Sequence, residues 1–315
     1  MRSSASTACT RPSHWALQLH WPADVAAATC LFALSGVVSA AELTGTLKKV
    51  QETGSITLGY RESSVPFSYL NADGKPVGYA FTVCQRVADA VKSELGLKTL
   101  DVKYQAVTSA NRIPLIQNGT VDIECGSTTN SLKRQREAAF SVSYFGIQVS
   151  AAVWKSSGIK SLEDLNGKTV TVTSGTTSVA LIKEFEKAHN LKIRYLMTKD
   201  FAESMQLVAN KRADAFILDD VLLAGQISNL PNASEFTILD ASLGVEPYGA
   251  MFRKDDAPFK AVVDKTVKGM IASGELAKLY STWFESPIPP KNINLNFKMN
   301  SYTKELFANP SDKGI

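Results

Sequence analysis

The segment KTVTVTSGTTSVALIKEFEKA, residues 168–188, joins a β-rich run to a helical run through a short polar loop. Lys168–Thr173 alternates threonine with valine, which favours a strand. Ser178–Ala188 has the composition and the apolar spacing of a helix. Strand, loop and helix in this order form the repeating unit of an α/β fold.

The same alternation continues on both sides of this unit. The predicted strands are Ser55–Tyr60, Val102–Ala106, Val121–Cys125, Ile193–Met197 and Ala213–Leu218, and the predicted helices are 43–52, Phe81–Leu95, Ile113–Gln117, Phe201–Ala209 and Val221–Ile227. This alternation predicts parallel sheets with crossover helices, in two α/β lobes that meet around Gly146–Ala152. A small ligand would lie between the lobes, beyond the carboxyl ends of the strands.

The first forty residues differ from the rest of the 315-residue chain, which has room for about two domains. Val25–Val38 is an apolar run, and the small residues Ser39, Ala40 and Ala41 follow it. This pattern predicts a secretory signal peptide over residues 1–40. An uncleaved membrane anchor is the alternative, although the run is short for a membrane span.

The composition of the remaining chain excludes several classes of function. Without residues 1–40, 32 cationic and 29 anionic side chains remain, so the net charge changes from +4 to +3. That charge is too small to indicate nucleic-acid or membrane binding. Cys84 and Cys125 either form one disulfide or stay reduced. His189 is the one remaining histidine, so a standard zinc site and a histidine-based triad are excluded, and we predict no metal and no cofactor.

The polar loop TSGTTS, residues 173–178, lacks the glycine–lysine–serine of a phosphate loop and the GxGxxG of a dinucleotide site. Gly175 allows close approach of the backbone to a ligand, and Ser174, Thr176 and Thr177 offer hydrogen-bond donors. The loop therefore predicts a cradle for a small anion.

Further polar side chains come just after predicted strands. Arg61 follows the first strand and is either a ligand contact or a surface cation. Ser127–Thr129 follow the third strand and either bind a carboxylate or cap a helix, and Arg134 is a ligand contact or part of a solvated face. Asp219 and Asp220 follow the fifth strand, where one could meet an ammonium group and the other could cap the next helix.

These residue types together favour one class of ligand. Arginine is the preferred partner of a carboxylate because its planar fork bonds both oxygens. Arg61, Arg112 and Arg134, combined with one aspartate, fit an amino acid that carries two carboxylates.

The chain contains, in this order, the blocks RESSVPFSY, TSANRIPLIQNGTVDIECGSTTNSLKRQ, VTSGTTS, ILDDVLLAG, FRKDD and WFESPIPPKNINLNF. Over roughly residues 45–315 they resemble the periplasmic glutamate/aspartate-binding proteins of ABC importers, in solute-binding protein family 3. The resemblance implies an α/β protein of the periplasmic-binding-protein type II fold, with two lobes, a two-strand hinge and a ligand cleft between the lobes. It places lobe 1 at 41–145 and 249–315, lobe 2 at 149–243, and the hinge crossovers at 144–148 and 244–248.

The resemblance also implies which residues hold the α-groups of the amino acid. The arginine at the position of Arg134 grips the α-carboxylate, with help from Ser127 and Thr129. The aspartate at the position of Asp219 takes the α-ammonium group.

Five further positions follow from the same resemblance. Thr176 and Thr177 add donors from the polar loop. Arginines that match Arg61 and Arg112, together with Ser109, hold the side-chain carboxylate.

One position departs from the pattern, because Phe201 stands where close relatives have a histidine. The resemblance leaves the choice between glutamate and aspartate open at this position. It implies a monomeric periplasmic binding protein, without enzymatic activity, that delivers L-glutamate or L-aspartate to the membrane permease of an ABC importer.

Two alternatives share this fold. A chemosensory receptor module would bind the same amino acid and differ in its partner. A dehydratase-like enzyme would need a proton donor in the cleft, and Glu62 or Glu124 would have to supply it, although the sequence identifies no partner for either residue.

Overall fold

A computed structural model describes residues 43–315 of the protein, so the predicted signal peptide at residues 1–40 lies outside the described residues. Numbered along the chain, the helices are α1 (Gly45–Thr53), α2 (Tyr79–Glu94), α3 (Arg112–Gln117), α4 (Leu132–Gln135), α5 (Ser178–Ala188), α6 (Phe201–Ala209), α7 (Asp220–Ser228), α8 (Ala257–Ala272), α9 (Glu275–Phe284) and α10 (Ser301–Ala308). The strands are β1 (Ser55–Tyr60), β2 (Ser63–Ser64), β3 (Ser68–Leu70), β4 (Pro76–Val77), β5 (Asp101–Ala106), β6 (Ile123–Glu124), β7 (Ala139–Phe140), β8 (Phe145–Trp154), β9 (Thr169–Thr173), β10 (Arg194–Thr198), β11 (Ala215–Asp219), β12 (Phe236–Ile238), β13 (Gly244–Tyr248), β14 (Met251–Phe252), β15 (Pro287–Ile288) and β16 (Ile293–Asn294).

The first sheet has the strand order β5-β1-β6-β14-β7. Its strand β1 pairs in parallel with β5, from Ser55 opposite Asp101 to Tyr60 opposite Ala106. Helix α2 covers this sheet with a buried apolar face, as its spacing predicts.

The second sheet has the strand order β10-β9-β11-β8-β12, and β13 also pairs with β8. Strand β9 runs parallel to β10 and β11, and the sequence predicts these three strands to within two residues. The loop that follows β9 and the end of β11 therefore lie at the same edge of the sheet.

The expectation of parallel sheets is met for β1 with β5 and β6 and for β9 with β10 and β11, but both sheets also contain antiparallel strands. Strand β8 runs antiparallel to β11, and β14 runs antiparallel to β6 and β7. A helical crossover between neighbouring strands makes them parallel. Strands β8 and β14 instead stand where the chain passes from one sheet to the other, and each follows the preceding strand after a short connection.

The two passages between the sheets lie side by side. Strand β13 pairs antiparallel with the first half of β8, from Gly244 opposite Val149 to Tyr248 opposite Phe145. Side chains of these two strands therefore lie close to both sheets.

Cys84 of α2 forms a disulfide with Cys125, and their Cα atoms are 5.7 Å apart. This resolves the two states that the sequence left open. The disulfide attaches α2 to the end of β6, directly before the loop that carries Ser127 and Thr129. Among residues 43–315, no helix has both the length and the hydropathy needed to cross a membrane.

Candidate functional site

A small cavity with about 10 Å³ of free space lies between the two sheets, and we refer to it as the arginine cavity. Its lining residues are Arg112, Ser127, Thr129, Arg134, Thr176, Thr177, Phe201, Leu218 and Asp219. Seven of the nine residues predicted to bind ligand are thus brought together. Arg61 and Ser109 are buried but are not among the lining residues.

Each sheet contributes one side of the arginine cavity. From the first sheet come Arg112 at the start of α3, the loop after β6, and Arg134 on α4. From the second sheet come the loop between β9 and α5 and the end of β11. The polar residues therefore lie beyond the ends of buried strands, as the alternating pattern predicts.

Arg112 is held by the loop after β6. Its Nη1 donates to the Ser127 carbonyl at 3.1 Å and to the Thr128 hydroxyl at 2.5 Å. The Thr128 hydroxyl in turn donates to Glu124 Oε2 at 2.5 Å, so Glu124 is connected to Arg112 through Thr128. Burial lowers the pKa of Arg112, and the charge of Glu124 opposes this effect.

Arg134 is buried and is not part of a solvated face, with 8% of its surface exposed. Its Nη1 donates to the Thr129 carbonyl at 2.9 Å, and its Nη2 donates to the Gly175 carbonyl at 3.0 Å. The guanidinium group therefore spans the cavity from the first sheet to the second. Burial and then the nearby charge of Arg112 lower the pKa of Arg134 to about 9.

Arg61 is not a surface cation, since only 2% of its surface is exposed. Its guanidinium carbon lies 4.9 Å from the centre of the Phe201 ring, which is a cation–π contact. Within the described residues its Nη1 is buried and has no hydrogen-bond partner. Burial and then the charge of Arg112 lower its pKa to about 9. An anion placed here would meet two arginines, Arg61 and Arg112, whose charges repel each other.

Asp219 and Asp220 have separate roles at the start of α7. Asp220 Oδ1 accepts the backbone N–H groups of Val221 at 2.8 Å and Gln148 at 3.3 Å. Asp219 makes no side-chain capping bond, and it accepts the Tyr248 hydroxyl. Burial raises the pKa of Asp219 well above its ordinary value, the charge of Glu246 raises it further, and the nearby arginines oppose both effects.

Four of the five predicted hydroxyl donors are already engaged within the protein. Thr176 donates to the Thr173 carbonyl at 2.7 Å. Thr129 and Thr177 both donate to Glu246 Oε2, at 2.6 and 2.7 Å. The Ser127 hydroxyl lies 3.4 Å from that of Ser64. The buried Ser109 hydroxyl has no partner among the described residues.

Sequence reasoning missed Glu246 and Tyr248, which reach the site from β13. Their segment was predicted as a hinge crossover and not as a source of polar contacts. The available signal was Glu246 itself, a lone acidic residue in the segment LGVEPYGAMF. Only 1% of the Glu246 surface is exposed. Such burial is rare for a carboxylate whose partners are not close to it in the sequence.

Arg112, Arg134 and Asp219 line the arginine cavity, and the buried charges of Arg61, Glu124 and Glu246 lie close enough to influence them. Cations and acceptors of this kind can hold a small molecule that carries both signs of charge. A larger cavity of about 330 Å³, open to solvent, is lined by Glu62, Val65, Met205, Gln226 and Lys291, among others. No arginine of the described residues lines the larger cavity, so the arginine cavity is the candidate site.

The chain is similar in sequence to known bacterial solute-binding proteins. Residues 56–286 match the model of the bacterial extracellular solute-binding proteins, family 3. The chain is 48% identical over 281 residues to the L-glutamate/L-aspartate-binding protein of Pseudomonas aeruginosa, which covers 89% of this chain and 93% of that relative. It is 42% identical over 301 residues to the glutamate/aspartate import solute-binding protein of Escherichia coli K12, covering 95% of this chain and all of that relative.

A solved structure shows a similar fold. An ancestral arginine-binding protein bound to arginine matches with a TM-score of 0.65 and 28% identity, over 73% of this chain and 98% of that chain. These likenesses confirm the predicted fold class, the type II periplasmic-binding fold.

Proposed function

The chain belongs to the bacterial extracellular solute-binding proteins, family 3, and on this premise we propose that it captures glutamate or aspartate for an ABC importer. It is a binding protein and not an enzyme. The observation that carries the proposal is the small cavity lined by the buried residues Arg112, Arg134 and Asp219, with the buried Arg61 against its lining residue Phe201. The names of the two curated relatives point to the same ligands.

The α-carboxylate of the ligand binds Arg134, with Ser127 beside it. Arg134 is the arginine that bonds to groups from both sides of the cavity, so a ligand held there contacts both sheets. The α-ammonium group binds Asp219, whose raised pKa reflects a buried carboxylate in need of a cation.

The side-chain carboxylate binds Arg61 and Arg112. Arg61 Nη1 and Arg112 Nε are both buried without a partner in the described part of the chain, so each has a donor to offer. Ser109, whose hydroxyl is also unpartnered, is available to the same carboxylate. An anion at this point offsets the mutual repulsion of the two guanidinium groups.

We assign the two sheets to two lobes, residues 41–145 with 249–315 and residues 149–243, joined by the crossovers 144–148 and 244–248. The paired strands β8 and β13 support this assignment because they are the segments that pass between the sheets. A ligand that contacts both lobes stabilises a closed form relative to an open one.

The protein acts outside the cytoplasm, in the periplasm, as a monomer that delivers its ligand to the membrane permease. The extracellular description of the family supports export, and the segment at residues 1–40 would direct it. An intact mass that matches removal of about forty residues from protein recovered from the periplasm tests this step. An unprocessed mass there would contradict it.

Calorimetry on ligand-stripped protein tests the choice of ligand. Charge-assisted hydrogen bonds contribute about 1.5–3 kcal/mol each, so we expect glutamate or aspartate to bind with a Kd of about 1 μM or below. Glutamine leaves a buried arginine without its counter-charge and should bind at least about 100-fold more weakly. Equal affinity for glutamate and glutamine would contradict the assignment of Arg61 and Arg112.

A further inference from the structure

Glu246 is a buried carboxylate that contacts both sides of the arginine cavity. One oxygen, Oε2, accepts the Thr129 hydroxyl at 2.6 Å and the Thr177 hydroxyl at 2.7 Å. Thr129 belongs to the loop after β6, and Thr177 precedes α5 of the second sheet. A single oxygen therefore joins hydroxyl groups from the two sheets.

The strand that carries Glu246 explains this placement. In β13, Glu246 lies opposite Ile147 of β8, in the pair of strands that passes between the sheets. The same strand continues beside the loop after β6, where Asn130 donates its N–H to the Pro247 carbonyl at 2.8 Å and Thr129 bridges to Tyr248. Glu246 thus belongs to one of the two strands that pass between the sheets, and its side chain contacts residues that line the cavity.

The hydrogen bonds determine which way the hydroxyl groups point. An ionised carboxylate only accepts hydrogen bonds, so each threonine donates its one hydroxyl proton to Glu246. The hydroxyl oxygens of Thr129 and Thr177 then have only lone pairs left, and they can accept from a ligand but cannot donate to it. Both threonines line the cavity together with Asp219.

The charges near Asp219 favour the same kind of ligand group. Asp219 and Glu246 are both buried, with 5% and 1% exposure, and the charge of Glu246 raises the pKa of Asp219. Two buried carboxylates that repel each other are stabilised by a cation between them.

We propose that Glu246 is a positioning residue that orients the hydroxyl groups of Thr129 and Thr177 as acceptors for the ammonium group of the ligand and ties the two sides of the closed cavity together. The inference rests on the proposed function, in that the ligand is an amino acid with two carboxylates. Under this inference the hydroxyl groups of Thr129 and Thr177 accept hydrogen bonds from the ammonium group of the ligand. The resemblance to the known family instead implied that they help to hold a carboxylate. It gives Glu246 a share in selecting amino acids over dicarboxylic acids that lack the amine.

The test compares glutamate with glutarate, which has the same two carboxylates and no amine. Calorimetry on wild type and on Glu246→Gln gives the affinity of each protein for each ligand. The amide keeps one accepting oxygen but loses the negative charge that strengthens both hydrogen bonds, so we expect the affinity for glutamate to fall about 10- to 100-fold, as for loss of charge-assisted hydrogen bonds. The affinity for glutarate should change less than about threefold, so that the ratio of the two affinities falls. An equal loss for both ligands, or no loss, would overturn the inference.

A second pair of variants covers the case in which Glu246→Gln does not fold. Thr177→Val removes one of the two oriented hydroxyl groups, and Thr177→Ser keeps it. We expect the valine variant to lower the ratio of glutamate to glutarate affinity and the serine variant to preserve it, and identical ratios in the two variants would overturn the inference. Wild-type protein that binds neither glutamate nor aspartate would instead contradict the proposed function, so the two failures are distinguishable.

Discussion

At the scale of single residues, the site is built from charged groups that are costly to bury. Arg61 and Arg134 have pKa values lowered to about 9, mainly because burial disfavours the charged form. Asp219 shows the opposite shift for the same reason. In the proposed complex, a ligand with two carboxylates and an ammonium group supplies a partner for each of these residues, which offsets the cost of burying them.

Phe201 offers a test at this scale, because its ring stacks on the guanidinium group of Arg61. Replacement Phe201→Leu removes the cation–π contact, which is worth about 0.5–2 kcal/mol. We therefore expect the affinity for glutamate to fall about 2- to 30-fold. Phe201→Tyr keeps the aromatic ring and is the matched control. Calorimetry that finds the same affinity in Phe201→Leu as in Phe201→Tyr would show that the ring does not position Arg61.

The raised pKa of Asp219 predicts a release of protons when the ligand binds. Below that raised pKa the free protein carries a proton on Asp219, whereas contact with an ammonium group requires the ionised carboxylate. Affinity should therefore increase with pH until the free carboxylate is ionised. Calorimetry in two buffers of different ionisation enthalpy measures the protons released. Proton uptake, or the same release in Asp219→Asn, would contradict this role of Asp219.

Sequence reasoning was strongest for residues that follow a strand directly. Arg61, Ser127 and Asp219 could be named because a polar residue at a strand end has few other reasons to be there. Glu246 could not be named, because its partner Thr129 is 117 positions away along the chain. A contact between residues so far apart in the sequence depends on the fold, and no local sequence pattern indicates it.

At the scale of elements, two glycines allow the backbones of the two sides to come close together. A Cβ atom on Gly225 of α7 would lie 2.4 Å from the Val65 carbonyl oxygen. On Gly175, in the loop before α5, it would lie 2.5 Å from the Ser109 carbonyl oxygen. Gln226 Nε2 also donates to the Ser63 carbonyl at 2.5 Å, so α7 forms part of the contact between the two sides.

Replacement Gly225→Ala therefore strains the closed form. Overpacking of this kind costs about 1–3 kcal/mol, which corresponds to a loss of about 5- to 150-fold in affinity for glutamate if the strain is confined to the closed form. Calorimetry on the purified variant measures the loss, and no side chain that binds the ligand is changed.

Gly269→Ala provides the control for this experiment. Gly269 lies in α8 with no atom within 4 Å of the added Cβ. We expect unchanged affinity and a gain in stability of about 0.5–1 kcal/mol, because alanine is the better helix former. Unchanged affinity in Gly225→Ala as well would show that closure does not depend on this contact.

The elements themselves were largely predictable from the sequence. Strand β1 and helices α5 and α6 have the predicted bounds, because strong local patterns dictate them. The antiparallel direction of β8 and β14 was not predictable, since it depends on how the chain passes between two sheets. Strand β6 has two residues instead of the five predicted, although its apolar residues are buried as expected.

At the scale of the whole molecule, the proposed function requires that the protein closes around its ligand. Groups from both sheets line the arginine cavity, and Glu246 and Tyr248 of β13 form hydrogen bonds with its lining residues Thr129, Thr177 and Asp219. Closure and ligand binding would therefore use the same hydrogen bonds, so ligand should stabilise the molecule as a unit. Two α/β sheets could be predicted from the repeated strand and helix pattern, whereas the contacts between them could not, because they depend on the relative placement of distant segments.

In the proposed complex, the three buried arginines Arg61, Arg112 and Arg134 surround one acidic amino acid. A crystal structure of the protein with bound glutamate or aspartate would show whether they do. We expect one carboxylate within hydrogen-bond distance of Arg134, the other within reach of Arg61 and Arg112, and the amine beside Asp219. A ligand seated in the larger cavity lined by Val65 and Gln226, with the three arginines away from it, would refute this arrangement.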